Sequence, residues 1–175
     1  MESILLPIST LCWLGVTALY DLHKRSAPNW LTLPVLTASL IWGVIQGEWT
    51  VSVFVLMLIL VSDLTVIWGI TGAAVLVVIY QLLPIPAFTM GLCMKTLGLF
   101  GIWSIWKQGK MGGADAKVLL ALTQTFGLII LLVVLVTGGL LALYARLKHQ
   151  STMPYLVAVF FGSLVYFLKI LFTYP

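Results

Sequence analysis

Long apolar runs alternate with short polar stretches along almost the whole chain. The runs cover residues 4–20, 30–45, most of 49–106, 116–144 and 155–172. Several approach or exceed the roughly 20 residues that a helix needs to cross the hydrocarbon of a bilayer. Their apolar residues are continuous rather than alternating, which favours helices over half-buried strands. The pattern predicts an all-α, polytopic membrane helix bundle of about 6–8 transmembrane segments, forming a single integral-membrane domain over residues 1–175.

The breaks between the runs set the order of the predicted helices. Pro28 disfavours helix at Ala27, and Asn29 is turn-forming, so the chain breaks here before a new helix. Glu48 is expected outside and Lys107 inside, so the chain between them crosses an odd number of times. Three crossings fit its length. Breaks within this region are expected at Gly69, Gly72, Pro84 and Pro86.

The apolar pattern in the last third of the chain predicts three further helical segments. Residues 116–126 are too few for an upright span. Gly127 is expected to break them from a helix that runs to about Tyr144. The polar residues 146–149 return the chain to the cytoplasm, and a last span covers residues 155–172. The prediction comprises eight apolar segments with both termini outside.

Composition and the placement of charge narrow the class of protein. Hydrophobic residues make up 62% of the chain and charged residues 8%, whereas soluble domains carry about 25% charged residues. Most of the basic residues fall in three short polar stretches: Lys24, Arg25, Lys107, Lys110, Lys117, Arg146 and Lys148. This positive-inside clustering places the three stretches in the cytoplasm and argues against nucleic acid as a partner. Cys12 and Cys93 form no Cys-x-x-Cys pair, so neither a zinc site nor a disulfide framework is expected. No other metal and no cofactor is expected either.

Two of the three aspartates lie in polar stretches at the ends of apolar runs. Asp21 follows the first run, and Asp115 opens the run that begins after residues 107–114. Each has a structural explanation: Asp115 as the N-cap of a helix, and Asp21 as an ion partner of Lys24 or Arg25. Their occurrence in stretches that are both expected in the cytoplasm favours a functional pair.

Two carboxylates held close together are suited to peptide hydrolysis. They do not both ionise readily, so one keeps a proton while the other accepts a proton from water. The activated water attacks a peptide carbonyl, and the protonated carboxyl later donates to the leaving nitrogen. Gly112 and Gly113 lack side chains and so allow a substrate backbone to approach Asp115 closely. The residues thus predict a proteolytic site at Asp21 and Asp115.

Three motifs resemble those of the type IV prepilin peptidase family. Residues 112–117, Gly-Gly-Ala-Asp-Ala-Lys, resemble its Gly-x-Gly-Asp-x-Lys motif. Asp21 followed by basic residues and by Pro28-Asn29 resembles its first aspartate motif. The residues 153–155, Met-Pro-Tyr, resemble the Ile-Pro-Tyr that opens the final helix of the family. The three motifs occur in the order of the family.

The resemblance implies a membrane aspartyl endopeptidase with Asp21 and Asp115 as its catalytic pair. It implies removal of the short basic leader peptide from prepilin or pseudopilin-like precursors, just after a glycine, in type IV pilus assembly or protein secretion. It also implies a multi-pass protein of the plasma (inner) membrane with its active site facing the cytoplasm. Supporting or substrate-positioning roles fall to Gly112, Gly113, Ala114, Lys117, Pro28 and Asn29.

The chain departs from the family pattern at three points. Ala114 stands where the motif usually has its second glycine, which bears on substrate preference more than on chemistry. Nothing matches the N-terminal cysteine-containing portion of the larger members, so peptidase activity without N-methylation is expected. Residues 49–106 are longer than in compact members, by about two spans. Within them, Asp63 and Lys95 are expected to form a buried pair or to reach the membrane interface, in a structural role.

Two other classes compete with this prediction. Presenilin-type intramembrane proteases also use a Gly-x-Gly-Asp motif but carry a Pro-Ala-Leu motif towards the C-terminus. Here residues 86–88, Pro-Ala-Phe, precede Asp115, which is the wrong order. A small transporter or channel subunit would use the aspartates to bind protons or cations. It would place them near mid-membrane rather than in basic loops at one face.

Overall fold

Seven α-helices make up the part of the chain that the computed structural model describes, residues 2–24, 27–60, 90–148 and 155–173. The all-α class is therefore confirmed over these residues, which contain no strand. The helices are α1 (Glu2–Lys24), α2 (Asn29–Ile45), α3 (Trp49–Leu60), α4 (Met90–Lys107), α5 (Gly113–Phe126), α6 (Leu128–Leu147) and α7 (Tyr155–Thr173).

The helix boundaries agree with the sequence in most places and differ in two. The predicted stop at Gly127 is confirmed, with φ at 82° and its N–H bonded to the Thr123 carbonyl at 2.9 Å. The predicted end of the first helix at Tyr20 is wrong, because α1 continues through Asp21 to Lys24. Residues 21–24 contain no glycine or proline, so nothing local interrupts the helix there. Helix α6 likewise extends past Tyr144 to Leu147.

Part of the predicted organisation lies outside the described residues. This holds for the expected breaks at Gly69, Gly72, Pro84 and Pro86, and for Asp63, Arg25, His149, Met153 and Pro154. Helices α3 and α4 are the described parts of the region that is predicted to cross three times. The number of crossings therefore stays a prediction.

Two helices end in the same glycine cap. The Gly109 N–H bonds to the Trp106 carbonyl at 2.9 Å, and the Lys110 N–H bonds to the Ile105 carbonyl at 3.2 Å. This pair of bonds is the Schellman motif, which needs a left-handed residue such as Gly109, with φ at 70°. The same pattern at Gly47 ends α2. The cap of α4 fixes where the polar loop before Asp115 begins.

The described residues divide into two compact units, Met1–Leu33 with Ile129–Pro175, and Pro34–Leu128. In the first unit, α1 packs against α7. Their contact is close at Gly15, where an added methyl would lie 3.6 Å from the Phe160 ring. Gly162 allows α7 to approach α6 closely, because a side chain there would collide with Val134. Small residues at such positions are typical of helices packed in membranes.

Helix α5 is the central helix of the second unit. It packs against α4 and α3. None of its 14 residues is fully exposed, and most of those from Ala116 to Gln124 are buried. Neighbouring helices therefore cover α5 along most of its length. At about 1.5 Å per residue it extends about 21 Å, which agrees with the prediction of a segment too short for an upright span.

The apolar helices differ in length. Among the residues that the structure describes, one stretch, Leu5–Lys24, is long and apolar enough to cross a membrane. The shorter apolar stretches are Asn29–Ile45, Trp49–Leu60, Leu128–Tyr144 and Tyr155–Ile170. Hydroxyl groups within the helices bond to carbonyls of their own helix, as Thr17 does to Leu14 at 2.8 Å. Such bonds satisfy a polar side chain without a water molecule.

Candidate active site

Asp21 is a buried carboxylate in the last turn of α1. It is 7% exposed, and its Oδ2 atom accepts a hydrogen bond from the backbone N–H of Leu156 at 3.2 Å. Leu156 is the second residue of α7. The first N–H groups of a helix have no partner within the helix. The Asp21 carboxylate is the hydrogen-bond acceptor for one of them, although it lies 135 residues away along the chain.

This contact gives Asp21 a fixed position and a favourable electrostatic environment. The N-terminus of a helix carries a partial positive charge, which stabilises a nearby carboxylate by about 0.3–1 kcal/mol at a surface and up to about 2 kcal/mol when partly buried. The alternative expectation for Asp21 was an ion pair with Lys24 or Arg25. Arg25 lies outside the described residues, and the Lys24 ammonium lies 5.2 Å from the centre of the Tyr20 ring.

Pro28 and Asn29 form the start of α2. The Pro28 carbonyl accepts hydrogen bonds from the N–H groups of Leu31 at 3.1 Å and Thr32 at 3.3 Å. Asn29 is the first residue of the helix rather than part of a turn. The predicted break before it is confirmed at Ala27 and Pro28, which are not helical. These residues therefore determine where the chain resumes its helical path after Asp21.

Asp115 is the third residue of α5, and Gly112 is the N-cap. The expectation that Asp115 itself caps the helix is therefore wrong. The Gly112 carbonyl accepts the Ala116 N–H at 3.0 Å. A methyl group on Gly112 would lie 3.0 Å from the Asp115 Oδ2 atom. The absence of a side chain at Gly112 thus leaves room for this carboxylate, which gives the glycine a role that sequence reasoning did not identify.

Gly113 has a different neighbour, the indole of Trp106. A methyl group on Gly113 would lie 3.3 Å from the Trp106 Nε1 atom. Trp106 is in the last turns of α4, and the five residues between α4 and α5 return the chain so that the ring lies beside the first residue of α5. No sequence pattern indicates this contact, because several tryptophans have similar positions near the ends of apolar runs.

Ala114 and Lys117 lie in regular helix. Ala114 is the second residue of α5 and is partly exposed. Alanine is the best helix former and glycine is about 1 kcal/mol worse, so the departure from the family pattern at this position agrees with the local structure. Lys117 is the fifth residue of the helix and is also partly exposed.

The two aspartates belong to different units. Asp21 lies in the first and Asp115 in the second. Asp21 ends α1 and bonds to the first turn of α7, and Asp115 lies in the first turn of α5. The pairing of the two carboxylates stays a prediction.

A second polar cluster includes Lys95. Its ammonium forms an ion pair with Glu48, the last residue before α3. Asp63 was the partner expected for Lys95 if the two formed a buried pair, and Asp63 lies outside the described residues. The structural role expected for Lys95 agrees with this ion pair. Glu48 was missed because its partner is 47 residues away along the chain.

Comparison with known protein families identifies a family to which the chain is similar. The sequence model of the type IV leader peptidase family matches residues 8–147, a range that includes Asp21, Pro28, Asn29 and the motif at 112–117. The resemblance drawn from these motifs is confirmed. No curated protein and no solved structure matches the chain.

Proposed function

This chain belongs to the type IV leader peptidase family, and from that premise we propose that it is a membrane aspartyl endopeptidase of prepilin or pseudopilin-like precursors. It removes the short basic leader peptide just after a glycine. The observation that carries this proposal is the buried carboxylate of Asp21 at the end of an apolar helix. A carboxylate in such a position is costly unless it is bonded, and the N–H of Leu156 provides one bond.

Asp21 and Asp115 are the proposed catalytic pair. One carboxylate accepts a proton from water as the water oxygen bonds to the carbonyl carbon of the scissile peptide. The other carboxyl donates a proton to the carbonyl oxygen. The carbon–nitrogen bond then breaks, and the leaving nitrogen takes a proton from the pair. Such a pair titrates as a unit, so the acid and base roles are not divided between the two residues.

The residues around Asp115 support this function through their size. Gly112 leaves space beside the carboxylate, and Gly113 leaves space beside Trp106. A backbone without side chains also allows an extended peptide to approach. Ala114 and Lys117 continue the helix behind them. We assign these four residues, with Pro28 and Asn29 at the start of α2, to support and substrate positioning rather than to bond making.

The proposed location is the plasma (inner) membrane, with several spans and the catalytic pair at the cytoplasmic face. The family is membrane-associated. One feature of the second unit supports more than one span. Its described helices carry many exposed large side chains, such as Ile41, Leu56 and Leu97. A lipid surface would cover such side chains.

Co-expression with a prepilin tests the activity directly. The substrate carries a basic leader and a glycine cleavage site, and its shortening is followed on a gel. We expect wild type to cleave it, and Asp21→Asn and Asp115→Asn each to abolish cleavage while accumulating in membranes at normal levels. Lys110→Gln, an exposed substitution in the same loop, is the matched control and is expected to cleave.

Two results would overturn the proposal. Cleavage by either asparagine variant would exclude the two-carboxylate mechanism. A wild type that is inert on several precursors would favour the transporter alternative. Labelling separates the two classes further, using a cysteine at position 115, a partly exposed position, in a chain freed of Cys12 and Cys93 by substitution. Reaction from the cytoplasmic side agrees with a peptidase, and protection from both sides agrees with a carrier.

A further inference from the structure

The indole of Trp106, near the end of α4, lies beside Gly113, the first residue of α5. A methyl group added to Gly113 would have the Trp106 Nε1 atom as its nearest neighbour at 3.3 Å, with the ring atoms Cε2 and Cζ2 at 3.8 Å. Because the nitrogen is the closest ring atom, the edge of the indole that carries the N–H faces the space that Gly113 leaves empty. The mechanism proposed above does not use this N–H.

The Trp106 N–H is available to a ligand. An indole nitrogen is a donor only, and among the residues that the structure describes nothing accepts a hydrogen bond from it. The buried polar atoms without a partner in this part of the chain include the Nε1 atom of Trp103 but not that of Trp106. The Trp106 side chain is partly exposed, whereas Trp103 is 1% exposed. A solvent-accessible donor at Trp106 is therefore left without a partner.

The short loop between α4 and α5 holds this N–H near Asp115. At the start of the loop, the Trp106 carbonyl accepts the Gly109 N–H at 2.9 Å, which fixes the end of α4. At the end of the loop, a methyl group added to Gly112 would lie 3.0 Å from the Asp115 Oδ2 atom. The carboxylate and the indole N–H thus lie beside two consecutive residues, Gly112 and Gly113.

A peptide can reach this part of the surface. Gly112 is exposed, and Gly113, Ala114 and Asp115 are each partly exposed. Two residues without side chains allow a substrate backbone to come close. Every residue of that backbone carries a carbonyl oxygen, which needs a donor when it leaves water. The positive end of α5 also favours a carbonyl oxygen nearby. The indole N–H is therefore a suitable donor for a peptide that approaches Asp115.

Building on the proposed function, we propose that Trp106 is a substrate-binding residue. Its indole N–H donates a hydrogen bond to a backbone carbonyl oxygen of the precursor, close to the scissile peptide. Trp106 makes and breaks no covalent bond, and it positions the peptide against the Asp115 carboxylate. Because the contact is to the backbone, it does not depend on which side chain the precursor carries there. Gly113 is small because a side chain would fill the space that the carbonyl enters.

Kinetics of the full chain in detergent test this role. Initial rates of prepilin cleavage are measured over a range of precursor concentrations for wild type and Trp106→Phe. Phenylalanine keeps an aromatic ring and has no N–H. Losing one hydrogen bond between neutral groups is expected to raise KM about 2–10-fold. The kcat is expected to stay within about twofold of wild type, since a bond made equally before and during the reaction affects KM alone. A role in packing alone would lower the amount of folded protein and leave KM unchanged.

Trp103→Phe is the matched control. It is the same substitution in the same helix, at a side chain that a substrate cannot reach. We expect its KM to equal that of wild type, whatever its stability. A second variant carries 3-benzothienylalanine at position 106. This residue has nearly the shape of tryptophan, with sulfur in place of the N–H, so it retains the packing if Trp106→Phe does not accumulate. The same rise in KM is expected.

Gly113→Ala connects the effect to the space beside the N–H. The added methyl lies 3.3 Å from the Nε1 atom and obstructs the carbonyl, so KM is expected to rise. In a chain that already carries Trp106→Phe, the same methyl is expected to raise KM much less, because no hydrogen bond is left to lose. Such non-additivity is typical of groups that share one contact.

Each outcome decides the proposal. With wild type active, an unchanged KM in a folded Trp106→Phe or 3-benzothienylalanine variant overturns the role of Trp106 and leaves the peptidase activity standing. An equal rise in KM for Trp103→Phe also overturns it, because an inaccessible N–H would then have the same effect. Additive effects of Gly113→Ala and Trp106→Phe overturn it as well. A wild type that is inert on several precursors overturns both the role of Trp106 and the proposed function.

Discussion

The carboxylate of Asp21 accepts a hydrogen bond from the backbone N–H of Leu156, 135 residues further along the chain. The contact joins the end of α1 to the start of α7 within one compact unit. It provides a partner for one helix N–H group and holds one carboxylate oxygen in place. A catalytic carboxylate needs such support, because productive geometry depends on a fixed side chain.

Replacing Leu156 tests this support. Leu156→Pro removes the N–H, and proline is tolerated in the first turn of a helix because the N–H there is not used by the helix. We expect cleavage per molecule to fall about tenfold, since a bond to a charged group contributes about 1.5 kcal/mol or more. Initial cleavage rates are compared after normalising to membrane protein.

The control for this prediction is Leu156→Ala. It also loses the buried leucine side chain, which is 0% exposed, but it keeps the N–H. We expect both variants to be less stable than wild type. Only the proline variant is expected to show the additional fall of about tenfold in cleavage rate per molecule. Equal rates per molecule for the two variants would show that the N–H does not support Asp21.

A methyl group at Gly112 is expected to displace the Asp115 carboxylate. The backbone of Gly112 is extended, with φ at −66° and ψ at 146°, so alanine adopts it without strain. The added methyl meets the Asp115 Oδ2 atom at 3.0 Å. Shifting a side chain from its rotamer costs about 0.5–1.5 kcal/mol, so cleavage should fall about 2–10-fold.

The matched control for Gly112→Ala is Gly101→Ala in α4. Nothing lies within 4 Å of a methyl group added there. Alanine should stabilise that helix slightly and leave cleavage unchanged. A wild-type rate for Gly112→Ala at normal membrane levels would show that the space beside Asp115 is not required.

Changing Ala114 to glycine tests the departure from the family motif. Ala114 lies in the first turn of α5, so Ala114→Gly should destabilise the protein by about 0.5–1 kcal/mol without improving cleavage. Thermal unfolding in detergent and prepilin cleavage are measured together. Ala121→Gly in the same helix, outside the motif, is the reference for the stability loss. A several-fold gain in cleavage for Ala114→Gly alone would show that the methyl group restricts the substrate.

Replacing Glu48 should destabilise the protein more than replacing Lys95, its partner in the ion pair. Glu48→Ala leaves the ammonium of Lys95 buried, whereas Lys95→Met leaves a carboxylate that is 38% exposed and can bind water. Removing one member of a buried pair is strongly destabilising. We expect a loss of about 2–4 kcal/mol for Glu48→Ala and less than about 1 kcal/mol for Lys95→Met, with the double variant closer to Lys95→Met. Thermal unfolding in detergent measures all three, and equal losses would contradict the prediction.

The helices were predictable where the sequence carries a local stop signal. Pro28 and Gly127 each mark a boundary that the structure confirms. The extension of α1 through Asp21 was missed because polarity alone does not end a helix, and no glycine or proline lies between Asp21 and Pro28. The number of apolar runs indicated a helical membrane protein, but it does not determine how the helices pack.

The candidate site was predictable in its residue types and not in its contacts. The motifs identified Asp21 and Asp115, because carboxylates at the ends of apolar helices are costly. The partner of Asp21 is a backbone N–H, which no side-chain pattern reveals. The N-cap of α5 is Gly112, whereas the structural alternative considered for Asp115 made that residue the cap, since aspartate is a common cap. The steric demand of the Asp115 carboxylate was not visible in the sequence.

The distance along the chain between Asp21 and Leu156 has a consequence for biosynthesis. Chains grow at about 5–20 residues per second, so Asp21 is made roughly 7–27 s before the residue that anchors it. The loop that ends α4 and starts α5 needs only neighbours a few residues away. The surroundings of Asp115 in this loop therefore assemble locally during synthesis. The surroundings of Asp21 are complete only when the last helix has been made, so under the proposed function a nascent chain is expected to stay inactive until that moment.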